Sequence, residues 1–278
     1  MNYKYLIVGG GMTADAAAQG IREVDPSGTI GLVSAEQHAP YNRPPLSKGL
    51  WKGDPEEKIW RPVPAATDVV LGKRIVSLDP RAQRATDDTG ATYGFEKLLL
   101  ATGGTPRRLS SESDNVIYYR TFDDYRRLRA LAERPLRFVV IGGGFIGSEV
   151  AAALRMQNRD VAMIIPEQGV GARVFPPDLS AFLVDYYRDK GVEIRTGEGV
   201  KQLQSEGRNG KVTIATTLGK AVTADAAVAG LGIVPNIDLA QQAGLKVDNG
   251  IVVDEHLQTS TPDIYAAGDV ANFFNPAL

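Results

Sequence analysis

Two glycine-rich segments, Tyr5-Leu-Ile-Val-Gly9-Gly-Gly11-Met-Thr-Ala14 and Phe138-Val-Val-Ile-Gly142-Gly-Gly144-Phe-Ile-Gly147, begin 133 residues apart in this chain of 278. Each has an apolar run before its glycines and an Ala-rich run at helical spacing after them, residues 14–21 and 149–156. That context has a physical meaning. A buried strand turns sharply at the first glycine, passes bare backbone close to a pyrophosphate at the second, and packs a helix against the strand at the third, where Ala is also small enough. The helix N-terminus then offers unpaired N–H groups and a positive dipole end to the phosphates. One copy reads equally well as a tight turn in an α/β core. Two copies predict a chain that holds two dinucleotides.

Composition narrows the remaining chemistry. With 43% hydrophobic and 23% charged residues the chain is ordinary globular material, long enough for two domains. A net charge of -2 gives no electrostatic reason to expect nucleic acid or an anionic membrane surface as partner. No apolar stretch approaches the roughly 18 residues of a membrane helix, and the run after Lys4 is too short for a signal peptide, so a cytoplasmic protein is expected. Cysteine is absent, which excludes a redox disulfide, a thiolate nucleophile and thiolate metal ligands. With only His38 and His256, both expected at the surface, neither a His-rich metal site nor a histidine triad is expected.

Strand and helix signals alternate through the first 34 residues, until Tyr41-Asn-Arg43-Pro-Pro45-Leu-Ser-Lys48 breaks the pattern with a rigid Pro-Pro turn. Short apolar runs at 69–71, 74–78, 84–86 and 92–93 predict a small antiparallel meander, and 95–102 a buried strand. Thr121 and Asp124 form a capping pair for a helix through residue 133. The same events recur afterwards: a helix over 179–190, a hairpin around 207–219, and a strand ending in Gly230-Leu-Gly232. This repetition predicts one nucleotide module inserted in another.

Acidic residues at the ends of the second strands test the assignment. A carboxylate about 20 residues beyond the glycines accepts hydrogen bonds from an adenosine ribose. Glu167 lies 20 residues after Gly147, behind Val161-Ala-Met-Ile-Ile-Pro166. A carboxylate there repels a 2'-phosphate, so NADH is expected in preference to NADPH. In the first copy the strand over 29–34 is followed by Ala35 and Glu36; Glu36 is the candidate, one residue off the simplest register.

Four further stretches carry a family resemblance: Pro40-Tyr-Asn-Arg-Pro-Pro-Leu-Ser-Lys48, Leu100-Ala-Thr-Gly-Gly-Thr-Pro-Arg107, Ile141-Gly-Gly-Gly-Phe-Ile-Gly-Ser-Glu149 and Thr259-Ser-Thr-Pro-Asp-Ile-Tyr-Ala-Ala-Gly-Asp269. The chain resembles the FAD-dependent pyridine-nucleotide oxidoreductases, in particular the ferredoxin-reductase and apoptosis-inducing-factor branch. The Thr-Gly-Gly-Thr-Pro and Gly-Phe-Ile-Gly-Ser-Glu strings, with Phe175-Pro-Pro-Asp178, lean toward apoptosis-inducing factor. The resemblance implies an α/β fold of two three-layer, Rossmann-like domains. An NAD domain over 111–235 would be inserted in a discontinuous FAD domain over 1–110 and 236–278.

It also implies roles. Gly9, Gly11 and Ala14 would cradle the FAD pyrophosphate, Glu36 its ribose and Asp269 the ribityl-pyrophosphate region. Ala101, Thr102 and Gly103 would be further cofactor contacts, with Arg43 and Lys48 beside the flavin. Gly142, Gly144, Gly147 and Gly232 would serve NAD(H), and Glu167 its adenosine ribose. Glu149 would pair with Lys48 near flavin N5. The pairing has its own chemical logic, because hydride arriving at a flavin leaves negative charge on the ring, which a fixed ammonium stabilises without transferring a proton. Trp51, Trp60 and Phe145 are aromatic residues near these segments; packing is the commoner role for such residues, and Phe145 is expected in the strand–helix joint.

The expected activity is hydride transfer from NADH to FAD, then electron transfer to a ferredoxin-type protein, a quinone or oxygen. The alternative is a redox-responsive binding protein of apoptosis-inducing-factor type, acting through a slowly reoxidised reduced state. A third is an NAD-binding scaffold without flavin. Relatives continue past the Gly268-Asp269 motif into a C-terminal domain that covers the flavin and often supports dimerisation; here the sequence stops at Asn275-Pro-Ala-Leu278, which reads as a fragment or a reduced version of the fold, and a homodimer is the oligomer the resemblance implies.

Overall fold

In the computed structural model, which describes residues 1–111, 113–207 and 210–275, the chain forms two units. The first comprises Met1–Asn42, Glu56–Thr105 and Val234–Leu278, the second Arg43–Pro55 and Pro106–Ile233. In chain order the elements of the first unit are β1 (Asn2–Val8), α1 (Met12–Val24), β2 (Ile30–Val33), β3 (Thr67–Val70), β4 (Ile75–Asp79), β5 (Arg84–Asp87) and β6 (Thr92–Leu100). The short strand β7 (Gly104–Pro106) leads into the second unit: β8 (Val116–Tyr118), α2 (Phe122–Ala132), β9 (Arg137–Ile141), α3 (Phe145–Met156), β10 (Asp160–Ile165), α4 (Pro177–Asp189) and β11 (Val192–Thr196). This unit continues with β12 (Val200–Ser205), β13 (Val212–Thr216), β14 (Ala221–Ala224) and β15 (Ala226–Ala229). The chain returns through β16 (Ile233–Pro235) to α5 (Asp238–Gln242), β17 (Ile251–Val252), β18 (Ile264–Ala266) and β19 (Ala271–Asn272).

The sheet of the first unit runs β3-β2-β1-β6-β5-β4, with β18 also on β6. Pairing is parallel from β3 to β6 and between β18 and β6, and antiparallel through β6-β5-β4. The second half of β1, residues 6–8, and all of β2 are buried apolar runs and not alternating patterns because both faces of this sheet are covered there. Leu6, Val8, Leu98 and Leu100 face one cluster with Phe95 and Ile264; Ile7, Ile30 and Leu32 face the other with Ala14 and Ala18 of α1. Small residues on α1 let that helix lie close to the strands.

Two sequence expectations change here. Residues 69–71 do not begin the meander: β3 lies parallel to β2, Ile30 opposite Thr67, and Ser34 N–H donates to Val70 C=O. No turn signal joins it to a neighbour, since it reaches the sheet after a long excursion. The runs at 92–93 and 95–102 are one strand, β6, through Gly94. Gly94 pairs in register with Asn2 of β1, and its missing Cβ faces only the Asn2 side chain, so the glycine that reads as a break is a paired member of the strand.

The second unit has an all-parallel sheet, β11-β10-β9-β15-β8, and a separate antiparallel sheet, β12-β13-β14. Val139, Ile141, Ala162 and Ile164 pack against Leu203, Ile214 and Val222 of the antiparallel sheet, where the sequence places a hairpin; residues 208 and 209 of that hairpin lie outside the described residues. α2 starts at a complete capping box: Thr121 Oγ1 accepts from the Asp124 amide, and the Asp124 carboxylate accepts from the Thr121 amide. Among the described residues no helix is long and apolar enough to cross a membrane.

α1 and α3 start at Met12 and Phe145, before the apolar spacing becomes regular, because Gly11 and Gly144 are extended N-caps placed directly after the turn. His38 is half-buried, its ring 5.9 Å from that of Trp60, and so is less exposed than its loop sequence suggests; His256 is exposed.

Candidate functional site

In the first unit the residues singled out from the sequence gather at the C-terminal ends of β1, β2, β6 and β18, where ligands bind in open α/β sheets. Gly9 has φ +131°, and a Cβ on it would sit 2.1 Å from the carbonyl oxygen of Ala101 at the end of β6. Gly11 is an N-cap with no side-chain hydrogen bond, which leaves the first amides of α1 to another acceptor, and Ala14 is fully buried behind them. Glu36 follows β2, and its Oε2 accepts a 2.6 Å hydrogen bond from the Tyr41 hydroxyl; its neighbour Ala35 is exposed and apolar. Thr102 and Gly103 are held by Asn236. The Asn236 side chain donates to the Thr102 carbonyl (2.7 Å) and its amide to the Gly103 carbonyl (2.9 Å). Asp269 is exposed in the turn after β18. At the adjoining Gly268, φ +78°, a Cβ would stand 2.4 Å from Thr13 Oγ1, so this turn lies against the first turn of α1.

Sequence reasoning missed a further contact of this unit. Asp15, one residue beyond the glycine fingerprint, is 1% exposed and bonds the Arg61 guanidinium at 2.5 Å; Arg61 also donates to Asn42 at 2.8 Å. The two partners lie 46 residues apart, and no local pattern announces such a pair.

The second glycine loop sits at the end of β9. Gly142 has φ +105°, and a Cβ there would meet the Gly230 carbonyl oxygen at 2.4 Å; a Cβ on Gly147 would meet the Gly142 oxygen at 2.1 Å. At Gly144 an added Cβ meets nothing within 4 Å. The first and third glycines are thus required by packing within the protein. The second lies under open space at the start of α3, and it is the residue at which an approaching phosphate needs bare backbone. The loop therefore fits a pyrophosphate on a geometric observation, independent of the motif. Gly232, φ +83°, follows β15 and accepts from the Arg107 amide at 2.9 Å. Glu167 follows β10, half-buried, and its Oε1 is bonded by Arg173. Phe145 is not in the strand–helix joint, which Gly147 and Val150 fill. It is 59% exposed, edge-on to Phe175 at 6.1 Å, because the first residue of a helix that starts at an extended glycine points away from the sheet.

Lys48 and Glu149 both belong to the second unit and form an ion pair, Nζ to Oε1 2.9 Å. The other carboxylate oxygen accepts a 2.6 Å hydrogen bond from Ser47. Glu149 is in the second turn of α3, so the helix that presents the glycine loop also fixes the ammonium. The segment before Lys48 is equally constrained: the buried Leu46 carbonyl accepts from Trp51 Nε1 (2.8 Å) and from the Tyr119 hydroxyl, whose phenol is pushed up by burial and stays a donor. Trp51 itself is 2% exposed and edge-on to Tyr125, a packing residue; Trp60 is partly exposed against Tyr41. Arg43 donates to the Arg120 carbonyl at 3.2 Å. With Lys48 about half exposed (53%), the pair contributes only about 0.2–1 kcal/mol to stability. Its consequence is position and charge.

Residues 3–277 match the family model described as pyridine nucleotide-disulphide oxidoreductase. The chain belongs to this family. Members of the pyridine nucleotide-disulphide oxidoreductase family bind FAD and NAD(H), and this member, lacking cysteine, has no disulfide to relay electrons. It is 37% identical to putidaredoxin reductase of Pseudomonas putida over 98% of its own length and 68% of that protein's, and 33% identical to mitochondrial apoptosis-inducing factor 1 of Dictyostelium discoideum, covering 99% and 58%. The crystal structure of a covalent putidaredoxin reductase–putidaredoxin complex superposes with a TM-score of 0.93 at 36% identity, covering 99% of this chain and 69% of that one. Among the described residues no group of His, Asp and Glu is arranged to hold a metal ion.

Proposed function

We propose that the protein is an NADH-dependent flavoprotein reductase that passes electrons to a small ferredoxin-type acceptor. The first unit would hold FAD at Gly9, Gly11, Ala14, Glu36, Ala101, Thr102, Gly103 and Asp269. The second unit holds NADH at Gly142, Gly144, Gly147, Gly232 and Glu167. Bound FAD supplies the ability to accept a hydride and release electrons singly. The chain's own part is to place charge. Lys48, fixed by Glu149, presents an ammonium to the negative charge that develops during hydride transfer, and Ser47 occupies the second carboxylate oxygen so that Glu149 cannot swing away. None of these groups exchanges a proton. The compartment that fits a supply of NADH is the cytoplasm.

The observation that carries this reading is the Ser47–Glu149–Lys48 cluster on the helix that bears the second glycine loop. The similarity to putidaredoxin reductase supports a ferredoxin-type acceptor. Anaerobic stopped-flow mixing with NADH tests the role. Removal of one preorganised charge from a site of developing charge costs on the order of a hundredfold in rate, so Lys48→Ala is expected to slow flavin reduction by about that factor. Reduction at the wild-type rate would remove Lys48 from the account. The similarity to apoptosis-inducing factor supports a second reading, a slowly reoxidised redox sensor. Reduced flavin that persists with ferredoxin-type proteins, quinones and oxygen alike would favour it.

A further inference from the structure

α3 holds the Lys48 segment at two places, and the ion pair is only one of them. At the other end of the helix Gln157, the C-cap, donates from its side-chain Nε2 to the main-chain carbonyl of Trp51 at 3.0 Å. Glu149 and Gln157 stand about two turns apart, roughly 12 Å along the helix. Both attachments lie within the second unit, to which Arg43–Pro55 belongs. Trp51 carries the second attachment to Lys48. Its amide donates to the Lys48 carbonyl at 3.2 Å, and its indole N–H to the Leu46 carbonyl at 2.8 Å, so one residue brackets Ser47 and Lys48 from both sides. The indole is 2% exposed, edge-on to Tyr125, with the Arg129 guanidinium 5.3 Å from its centroid. Gln157 is fixed in turn. Its amide donates to the Leu154 carbonyl at 3.1 Å, and its carbonyl accepts from Arg159 Nε at 2.8 Å, while Arg159 Nη1 reaches the Arg134 carbonyl just past α2 at 2.7 Å. Asn158, φ +58°, ends the helix there.

An ion pair with a half-exposed lysine fixes charge loosely, because solvent screens it and the flexible stem can carry the ammonium elsewhere. A hold on the backbone removes a different freedom, the movement of the Cα from which the stem projects. We propose that Gln157 is a positioning residue for flavin reduction, holding Trp51 and through it the backbone of Lys48, so that the ammonium is presented from a fixed origin. The proposal rests on the reading of Lys48 as the charge that faces the reduced flavin. Both ends of α3 then serve one purpose: Glu149 sets the direction of the lysine stem and Gln157 its base. The bond has a defined polarity, since only the amide nitrogen of a glutamine can face a carbonyl. Gln157→Glu therefore keeps the shape, replaces the donor with an acceptor and opens the clamp.

Two measurements on the full chain test this. Hydrogen–deuterium exchange read by mass spectrometry needs no cofactor. In Gln157→Ala and Gln157→Glu the peptide over residues 46–52 is expected to exchange about fivefold faster than in wild type, within the range of one lost hydrogen bond, with peptides inside α3 unchanged. In anaerobic stopped flow of the flavin-loaded chain with NADH, either variant is expected to lower the limiting rate of flavin reduction by about the same factor and to leave the half-saturating NADH concentration within about twofold. In a Lys48→Ala background the same substitutions are expected to change that rate by less than about twofold, because the group they position is gone. A rate loss that persists in full in that background would overturn the role of Gln157. So would a raised half-saturating NADH concentration with an unchanged limiting rate, or wild-type exchange or wild-type reduction in Gln157→Ala. Lys48→Ala that itself reduces at the wild-type rate would overturn the reading of Lys48, and the proposal with it.

Discussion

Gly147→Ala tests the claim that the second loop is fixed by packing within the protein. The added methyl would lie 2.1 Å from the Gly142 carbonyl oxygen and 3.0 Å from its carbon. Ordinary contact is about 3.5 Å, so the overlap exceeds about 1 Å. No side-chain rotation relieves it, because both atoms are backbone. The Gly142 peptide is itself tied to β10 by its amide on the Ile164 carbonyl, 2.9 Å. α3 must therefore move away from the sheet by on the order of 1 Å, at a cost near the top of the 1–3 kcal/mol typical of overpacking. The first loop supplies the control. Its third position is already a fully buried alanine, and Ala14→Gly is expected to cost about 1 kcal/mol through helix propensity. Urea unfolding gives the stability change, and ADP-ribose titration reports the displaced helix N-terminus. Gly147→Ala is expected to lower stability by about 2–3 kcal/mol and weaken ADP-ribose. A change under about 0.5 kcal/mol with unaltered binding would refute the packing argument.

Three further outcomes follow from the same geometry. Arg61→Ala leaves the 1% exposed Asp15 carboxylate without its cation and is expected to cost about 3 kcal/mol in urea unfolding, with the Asp15→Ala, Arg61→Ala pair recovering part of the loss. Tyr119→Phe removes one of two donors to the Leu46 carbonyl; a cost of about 1 kcal/mol and slower flavin reduction than wild type, though faster than Lys48→Ala, are expected in stopped flow. For Asp87, burial alone would push the carboxyl up. Hydrogen bonds from Thr89, Tyr93 and the Thr89 and Ala91 amides outweigh it and bring the value down to about 2. Because the folded value is the lower one, this stabilisation is present above the unfolded value of about 4 and is lost as pH falls toward about 2. The stability difference between wild type and Asp87→Asn, read from urea midpoints, should shrink over that window.

The glycine loops and the Thr121–Asp124 capping box were legible because their physics is local: turn, cap and helix start fall within a few residues. Gly94 misled for the opposite reason. A glycine reads as a break from its neighbours alone, whereas Gly94 is paired with Asn2 of another strand. Phe145 likewise looked internal from its apolar surroundings, although its position on α3 aims it outward. The Ser47–Glu149 hydrogen bond spans 102 residues, and Asp15–Arg61 and the Asn236 clamp on Thr102 and Gly103 also join distant segments. Such contacts have no periodicity to read. The Arg173–Glu167 ion pair was missed because nothing in the sequence shows that the loop after β10 folds back on the carboxylate.

The most direct test of the account is anaerobic stopped-flow mixing of the flavin-loaded wild-type chain with NADH, followed by an oxidised ferredoxin-type protein. The account predicts loss of the oxidised flavin absorbance on the first mix and its return with concomitant reduction of the acceptor on the second. A flavin that binds but stays oxidised in excess NADH would contradict the central claim that the two glycine loops serve one hydride transfer.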